Sequence, residues 1–394
     1  MEVAIIGAGV AGVAAAIVLT QLGHTVRIFE RRALASTLGA GVMLWPNAAF
    51  VLDQLGLLSR VAAVSGRPRA MHRLDARGGA IAAIDISAID SLSGFSTYSV
   101  LRSDLQQILL DRLDEFGVSV RYGSVARGVG ECGPRAWASF EDGTRVECDL
   151  LLGADGRIAS VARHYVVADA LAKYQGFVNW VGIATSNAPL LDDPRGIFDY
   201  WGLGERFGIV PISERVCYWA GAKAMSLDDA RAHAQTLEEL RALFASWPEP
   251  VQRVLAASSP ESLRKIPIFD LDPLLHWHRG RVLLVGDAAY ASLPTSGQGA
   301  CQALEDVFHL ARCLAASPDL SQALVRFTDI RRAKTSNITR AGRQLAHSLF
   351  HGTVEDYQRR DEAARAADPR EFSAAIASAW NAGLPLASAA HRSP

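Results

Sequence analysis

Three closely spaced glycines near the N-terminus, Gly7, Gly9 and Gly12, are the first residues whose spacing could serve a chemical purpose. They form the pattern G-x-G-x-x-G. In this pattern the first glycine permits a tight turn, the second lets the backbone approach a pyrophosphate, and the third allows a helix to pack closely on a strand. The pyrophosphate would lie at the positive end of that helix, where free N–H groups point toward it. The pattern predicts a dinucleotide-binding turn.

The segments on either side of this turn agree with that prediction. Residues 2–6 are a short apolar run typical of a strand buried on both faces, and residues 10–19 are an apolar stretch that favours a buried helix. A second apolar run, residues 25–29, ends at Glu30. The Glu30 carboxylate could accept hydrogen bonds from adenosine ribose hydroxyls and would disfavour a 2′-phosphate. The fingerprint alone does not choose between FAD and NAD.

The composition of the chain limits the classes of partner that we expect. At 394 residues it exceeds the roughly 250–300 residues that one core supports, so we expect two lobes. Lys and Arg number 40 and Asp and Glu 41, which leaves no basic excess to attract nucleic acid. The longest apolar stretch is too short to span a membrane, and no signal peptide precedes the first strand. We therefore expect a soluble, cytoplasmic enzyme that acts on small molecules and has no nucleic-acid or membrane partner.

The cysteines give no support to a metal or dithiol site. None of them forms a C-x-x-C pair, so free thiols in a reducing cytosol are the expected state. They are widely scattered along the chain: Cys132, Cys148, Cys217, Cys301 and Cys313.

Further along the chain, two more segments have the pattern of a buried strand followed by a glycine turn: residues 149–156, DLLLGADG, and residues 281–290, RVLLVGDAAY. Between them, residues 165–274 contain aromatic and β-branched runs that indicate a mixed sheet, with a helix near residues 237–244. Residues 67–99 alternate in the manner of short strands, and residues 101–117 have the periodicity of an amphipathic helix. Segments of the dinucleotide fold thus flank an inserted sheet.

Three motifs in fixed order carry a resemblance to a known family. GAGVAG at residues 7–12, LLLGADGRIASVAR at residues 150–163 and RVLLVGDAAYASLPTSGQGACQALEDV at residues 281–307 resemble those of the class A, single-component FAD-dependent aromatic monooxygenases. The resemblance extends from residue 1 to about residue 345. It implies an α/β fold in which a Rossmann-like, glutathione-reductase-like FAD-binding domain carries an inserted mixed β-sheet substrate domain and C-terminal helices.

On this basis we predict the following division of the chain. The FAD-binding domain is discontinuous and comprises residues 1–75, 98–165 and 275–345. The substrate-binding sheet domain comprises residues 76–97 and 166–274. Residues 346–394 form a C-terminal helical tail.

The resemblance also implies which residues face the cofactor. The aspartate that matches Asp287 binds the hydroxyls of the flavin's ribityl chain. The loop that contains Pro294, Gly297, Gln298 and Gly299 faces the pyrimidine end of the isoalloxazine, where N–H groups at a helix start would stabilise negative charge.

Further cofactor contacts are implied closer to the N-terminus. Asp155 and Gly156, with Arg163 beyond them, support both the flavin and the nicotinamide. Arg102 lies where the family places an arginine against FAD, although a solvated arginine at a helix start is the alternative. Arg31 lies along the adenine or in solvent.

One residue departs from the family pattern. Many members have histidine after G-D-A-A, and this chain has Tyr290. The tyrosine could still pack and hydrogen-bond near the flavin, but no role of that histidine can be transferred to it.

The reaction implied by the resemblance is ring hydroxylation. NADH or NADPH, which the sequence does not distinguish, reduces the flavin, and O2 then forms a flavin C4a-hydroperoxide that transfers one oxygen atom to an electron-rich ring. The cofactor supplies this chemistry, so neither a metal nor a nucleophilic side chain is required. Two alternatives stay open: an FAD-dependent epoxidase or reductase of an isoprenoid or alkene, which shares the fold and all three motifs, and a non-catalytic flavin-binding regulator.

Three residues of the inserted sheet are candidates for substrate contact and catalysis. Asn179, Arg206 and Tyr218 resemble in position the polar substrate contacts of FAD-dependent urate hydroxylases. Arg206 could anchor an anionic ring or form a structural salt bridge, and Asn179 could contact the substrate or cap the backbone. Tyr218 could hydrogen-bond a ring substituent or accept its proton. Residues 348–369 instead resemble salicylate- and hydroxynicotinate-hydroxylase-like members, so the substrate stays open among aromatic and N-heteroaromatic rings.

Overall fold

A computed structural model describes residues 1–35, 40–168, 170–232 and 235–386 of the chain. The last residues of the predicted tail, 387–394, lie outside the described residues. The strands, numbered in chain order, are β1 Glu2–Ile6, β2 Thr25–Phe29, β3 Gly41–Leu44, β4 Ala70–Asp75, β5 Ala80–Asp85, β6 Tyr98–Leu101, β7 Val120–Arg121, β8 Ala126–Cys132, β9 Arg135–Phe140, β10 Arg145–Cys148, β11 Leu150–Gly153, β12 Lys173–Thr185, β13 Gly196–Trp201, β14 Glu205–Ser213, β15 Val216–Ala224, β16 Arg264–Asp270, β17 His278–Arg279 and β18 Val282–Leu284.

The helices of the described residues are also numbered in chain order. They are α1 Val10–Gln21, α2 Pro46–Gln54, α3 Leu58–Ala63, α4 Ile86–Ser93, α5 Arg102–Glu115, α6 Val161–Val166, α7 Leu227–Ala232, α8 Leu237–Leu243, α9 Glu249–Ala256, α10 Gly299–Ala316, α11 Leu320–Phe350, α12 Val354–Ala366 and α13 Pro369–Asn381. Short 3₁₀ turns occur at Pro260–Ser262, Gly286–Ala288 and Pro294–Ser296.

The first sheet brings together the three predicted strand–turn segments. Its strand order is β17-β18-β11-β1-β2-β7, and β18, β11, β1, β2 and β7 run parallel to one another, whereas β17 pairs with β18 in the antiparallel direction. The strands β1, β11 and β18 are apolar and buried because both faces of a parallel sheet are covered. Since their C-terminal ends meet at one edge, the turns that follow them are neighbours in space, which is where ligands of such sheets bind.

The second large sheet contains the inserted strands. Its order is β16-β12-β15-β14-β13-β4-β5, and its pairing is antiparallel except between β13 and β4. One face packs on α8 and α9, where Phe207 stacks on Trp219 and contacts Phe244 in a common apolar cluster. On the other face, Tyr218 and Val210 belong to the cluster of the first sheet. The alternation of side chains therefore places every second residue of these strands on the face opposite α8 and α9.

Most sequence-derived elements are present, and the predicted α/β class with a mixed sheet and C-terminal helices is confirmed. The helices predicted near residues 101–117 and 237–244 correspond to α5 and α8. The prediction of strands throughout residues 67–99 is wrong in part, because α4 interrupts them. The Asp85 carboxylate accepts a hydrogen bond from the Ala88 N–H at the start of this helix, and Gly94, with a φ of 74°, ends it.

The predicted domain boundaries stay a prediction. Strand β4 falls within residues 1–75 of that division, and it pairs with β13 in the seven-stranded sheet. Among the described residues, no helix has both the length and the apolar character needed to cross a bilayer.

Candidate active site

The glycine turn after β1 packs tightly on its surroundings and leaves one open position. Gly7 has a φ of +102°, and a Cβ there would lie 2.2 Å from the carbonyl oxygen of Ala154. A Cβ at Gly12 would lie 1.9 Å from the oxygen of Gly7. No atom lies within 4 Å of the corresponding position at Gly9, which is the N-cap residue of α1. The outer glycines permit close packing, and the middle one leaves room at the helix start that fits a pyrophosphate.

Glu30 is fixed beside this turn. Its Oε2 accepts a hydrogen bond from the Ala8 N–H at 3.0 Å, and its Oε1 accepts one from the Arg32 N–H at 3.0 Å. Each carboxylate oxygen can accept a further hydrogen bond, so the position fits recognition of ribose hydroxyls. Arg31 is exposed at the surface next to it.

The turn after β11 is held by its own side chains. Asp155 accepts hydrogen bonds from Ser160 Oγ at 2.5 Å and from the Ala162 N–H at 3.2 Å, and burial raises the pKa of its carboxyl group. Gly156 has a φ of +86° and no atom within 4 Å of its missing Cβ. Asp155 therefore shapes the turn, and Gly156 borders open space.

Arg163 joins this turn to the one after β18. It is buried, and its Nη1 donates to the carbonyl oxygens of Gly156 and Ala288 at 3.1 and 3.2 Å. The motif of residues 150–163 thus positions two of the three turns through one guanidinium.

Asp287 forms an ion pair that the sequence reasoning missed. Its Oδ2 accepts hydrogen bonds from Nε and Nη2 of Arg157 at 3.1 and 2.8 Å, and its side chain is 34% exposed. Arg102, exposed at the start of α5, lies within electrostatic range of both residues. The three segments therefore converge on one charged wall. Only the presence of a basic residue in the same motif as Asp155 could have suggested Arg157.

The loop of residues 294–299 presents the start of a long helix. Gly297 has a φ of +62°, and its carbonyl oxygen accepts a hydrogen bond from Trp45 Nε1 at 3.1 Å. Gln298 is buried, and its Oε1 accepts one from Asn47 Nδ2 at 2.9 Å. Gly299 begins α10 with no atom within 4 Å of its missing Cβ. The loop after Pro294 thus directs a helix N-terminus, with its positive partial charge, toward open space.

Behind this loop lies a buried cluster of charged residues, Glu305, Asp306, Arg331 and Lys334. Arg331 pairs with Glu305 at 2.8 Å and with Asp306 at 2.7 Å, and Lys334 pairs with Glu305 at 2.8 Å. Burial alone would raise the pKa of Glu305, but Arg331 and Lys334 lower it below its usual value. The formal charges of the two carboxylates and the two cationic side chains of the cluster thus balance.

This buried charged cluster supports the turn after β18. Asp306 Oδ2 accepts hydrogen bonds from the Gly286 N–H and from the Tyr290 hydroxyl, both at 2.8 Å. Tyr290 is buried, and burial raises its pKa well above the usual value. The tyrosine that departs from the family pattern therefore directs its hydroxyl into the cluster.

The three candidate substrate residues lie on one face of the seven-stranded sheet. Strand register aligns Asn179 with Ala222 and Ala222 with Arg206, so the two polar side chains lie in one row, two strands apart. Tyr218 is four residues from Ala222 along β15, in a separate row, and its ring contacts Gly41 of β3 so closely that a Cβ there would lie 2.0 Å from Tyr218 Cδ1.

The chemistry open to these residues is more limited than the sequence implied. Burial raises the pKa of Tyr218 well above its usual value, which disfavours the phenolate form that a base would require. Arg206 Nε donates to Asp199 Oδ1 at 2.6 Å, which is the salt bridge that the sequence left as an alternative. Asn179 Oδ1 is buried and accepts no hydrogen bond from the described residues, which leaves an acceptor for a ligand.

Metal and thiol chemistry receive no support from the described residues. No group of three His, Cys, Asp or Glu side chains in those ranges could hold a metal ion. The five cysteines are free, and all but Cys132 are buried.

Comparison with known proteins agrees with this geometry. The FAD binding domain family matches residues 1–336. The chain is 34% identical to a 3-amino-4-hydroxybenzoate 2-monooxygenase of Streptomyces cremeus, over 98% of this chain and 97% of that protein. It is 30% identical to an FAD-dependent urate hydroxylase of Mycolicibacterium vanbaalenii, over 87% of each. The crystal structure of Klebsiella pneumoniae HpxO with FAD and uric acid superposes with a TM-score of 0.87 and 26% identity, over 96% of each chain.

Proposed function

The chain belongs to the FAD binding domain family and is an FAD-dependent monooxygenase, and from this premise we propose that it hydroxylates a small aromatic or N-heteroaromatic ring at the expense of NADH or NADPH and O2. One observation carries the proposal. The three glycine-bearing turns meet at one edge of the first sheet, and Tyr218, on the sheet face that also carries Asn179 and Arg206, belongs to the apolar cluster of that first sheet.

The residues of the first sheet fit FAD along its whole length. Gly9 and the α1 start would hold the pyrophosphate, Glu30 the adenosine ribose, and Asp287 the ribityl hydroxyls. The open positions at Gly156 and Gly299 support this assignment because a Cβ there would project into the space that the cofactor requires. Bound FAD would supply the reductive activation of O2.

The sheet wall would hold and orient the ring. The protonated Tyr218 would donate a hydrogen bond to a ring substituent, and Asn179 Oδ1 would accept one from a ring N–H, amino or hydroxyl group. Because Arg206 is held by Asp199, it would present its guanidinium in a fixed direction. Apolar packing of Tyr218 and Val210 against the first sheet would exclude water from the reacting ring.

The alternative of an epoxidase or reductase acting on an isoprenoid or alkene is not favoured. The relatives named above are a monooxygenase and a hydroxylase of aromatic or heteroaromatic compounds, and the chain matches them over most of its length.

A turnover assay tests the proposal. The FAD-loaded protein would be given NADH or NADPH with hydroxybenzoates, aminohydroxybenzoates, hydroxypyridines and purines. The buffer would be equilibrated with ¹⁸O2 gas and made with unlabelled water. We expect ring-stimulated oxygen uptake and a product that gains one labelled oxygen atom. No labelled oxygen in any ring product, together with saturation of an added isoprenoid alkene without oxygen uptake, would contradict it. Arg206→Ala should weaken ring binding and leave FAD content unchanged, with exposed Arg215→Ala in the same hairpin as the matched control.

A further inference from the structure

A second arginine, Arg73 of β4, lies on the same sheet face as Arg206. Strand register pairs Arg73 with Asp199 and Asp199 with Gly208, so the three residues share one row. The Arg73 guanidinium carbon lies 5.0 Å from the ring centroid of Trp201 and 5.2 Å from that of Phe372. Its Nε is buried and donates to no acceptor among the described residues. Aromatic faces surround this cation, and part of its donor capacity is unused.

The charges around Arg73 do not balance. Asp199, which is only 3% exposed, is the one carboxylate among the described residues that acts on Arg73 appreciably. Its Oδ1 is bonded to Arg206 Nε at 2.6 Å, and its Oδ2 to Trp201 Nε1 at 2.9 Å. Arg73 and Arg206 thus depend on the single carboxylate of Asp199, and each oxygen of that carboxylate already accepts a hydrogen bond. Burial lowers the pKa of Arg73, yet an arginine keeps its proton in proteins. One positive charge is therefore left over at a mostly buried position, which is costly without an anion.

Open space lies in the same row of the sheet as Arg73. Gly208 is the neighbour of Asp199 in the row, and the nearest atom to its missing Cβ is a backbone oxygen at 3.9 Å. Arg73 and Gly208 are two strands apart, which is about 10 Å between their backbones and within the combined reach of an arginine and a ring substituent. Arg206 lies in the next row of the same sheet face.

We propose that Arg73 is a specificity residue that forms, together with Arg206, a subsite for one planar oxyanion on the substrate ring, namely a carboxylate. The guanidinium fork matches a carboxylate in geometry, and one negative charge would neutralise the group of Arg73, Arg206 and Asp199. This inference rests on the proposed function, because it assumes that the ring binds against this sheet face. It selects a benzoate-type acid over a neutral ring of the same shape.

Ligand binding to the FAD-loaded protein tests the subsite without turnover. Dissociation constants would be measured from the change in flavin absorbance for acid and carboxamide pairs, such as 3-amino-4-hydroxybenzoate and 3-amino-4-hydroxybenzamide, and for urate. We expect the wild-type protein to prefer the acid. Arg73→Met keeps the aliphatic stem on Trp201 and should weaken acid binding by roughly tenfold or more, the scale of a charge-assisted hydrogen bond, with amide binding unchanged.

Two further variants separate charge from packing. Arg73→Lys keeps the charge without the guanidinium fork and should retain part of the acid preference, whereas exposed Arg77→Met in the adjoining turn should change nothing. If Arg73→Met loses its FAD, Arg73→Gln provides the same comparison. Equal weakening of acid and amide, or no change in either, would overturn the subsite and leave the proposed function standing. If the wild-type protein binds none of these rings, in either charge state, the proposed function is overturned and the subsite with it.

Discussion

Replacement of Arg331 by methionine should destabilise the protein strongly, because it leaves two buried carboxylates with one cation. Arg331 is fully buried, and so are its partners Glu305 and Asp306. Its Nη2 also donates to the carbonyl and side-chain oxygens of Gln302 at 3.1 and 2.7 Å. Methionine has a similar stem but restores none of these contacts.

The expected loss follows from the burial of the pair. Removal of one partner from a buried ion pair costs about 3–5 kcal/mol, against a total stability of roughly 5–15 kcal/mol for a folded domain. The neighbouring Arg332 is 40% exposed and lies 3.9 Å from Asp329. Arg332→Met should therefore change the free energy of unfolding by no more than about 0.5 kcal/mol, which makes it the matched control.

Urea unfolding followed by tryptophan fluorescence would give the free energy for the wild-type protein and both variants. The loss in free energy of unfolding that Arg331→Met causes should be smaller at pH 5 than at pH 8. Without the arginine, Glu305 and Asp306 hold protons more tightly when folded than when unfolded, so folding is favoured as the pH falls. FAD affinity should fall as well, because Asp306 positions Gly286. A difference below about 1 kcal/mol between the two variants would show that the cluster does not stabilise the fold as argued.

Three further predictions concern single residues. Gly9→Ala should leave the stability of the FAD-free protein nearly unchanged, since space exists for the methyl group, but should weaken FAD binding by roughly tenfold or more in a fluorescence titration. Asp287→Ala removes the predicted ribityl acceptor and frees Arg157, so the purified protein should contain little flavin; a fully yellow preparation would refute that role. Burial raises the pKa of Asp90 to about 6, so its favourable contribution to stability is present at low pH and is lost as the pH rises through 6. Asp90→Asn should reduce this fall in stability between pH 4 and 7, and an unchanged pH dependence would contradict the assignment.

The sequence was most informative where local pattern determines structure. The strand, glycine turn and helix at residues 2–21 follow from apolar runs and the three glycines, and they are present as β1 and α1. The later turns were recognisable for the same reason, because each follows a short buried strand. Their convergence at one sheet edge follows from the rule for parallel strands rather than from any single motif.

What the sequence could not reveal are partnerships between distant residues. Arg157 and Asp287 are 130 positions apart, and Arg331 and Asp306 are 25 apart, with no periodicity that relates them. The same holds for Arg73, which reads as an ordinary polar position of an alternating strand until the sheet places it beside Asp199. Tertiary packing, not local propensity, decides whether such a charge is solvated or buried.

The strand order of the first sheet has a consequence for biosynthesis. Strand β11 lies between β1 and β18, so residues 2–6 and residues 282–284 belong to one sheet and are joined through β11. A ribosome must therefore release nearly three quarters of the polypeptide before this edge is complete. Contacts so far apart in sequence form slowly, and the N-terminal turn must wait for them before it can retain a flavin. Flavin capture would then mark the end of folding, and a nascent chain stalled before β18 should emerge colourless.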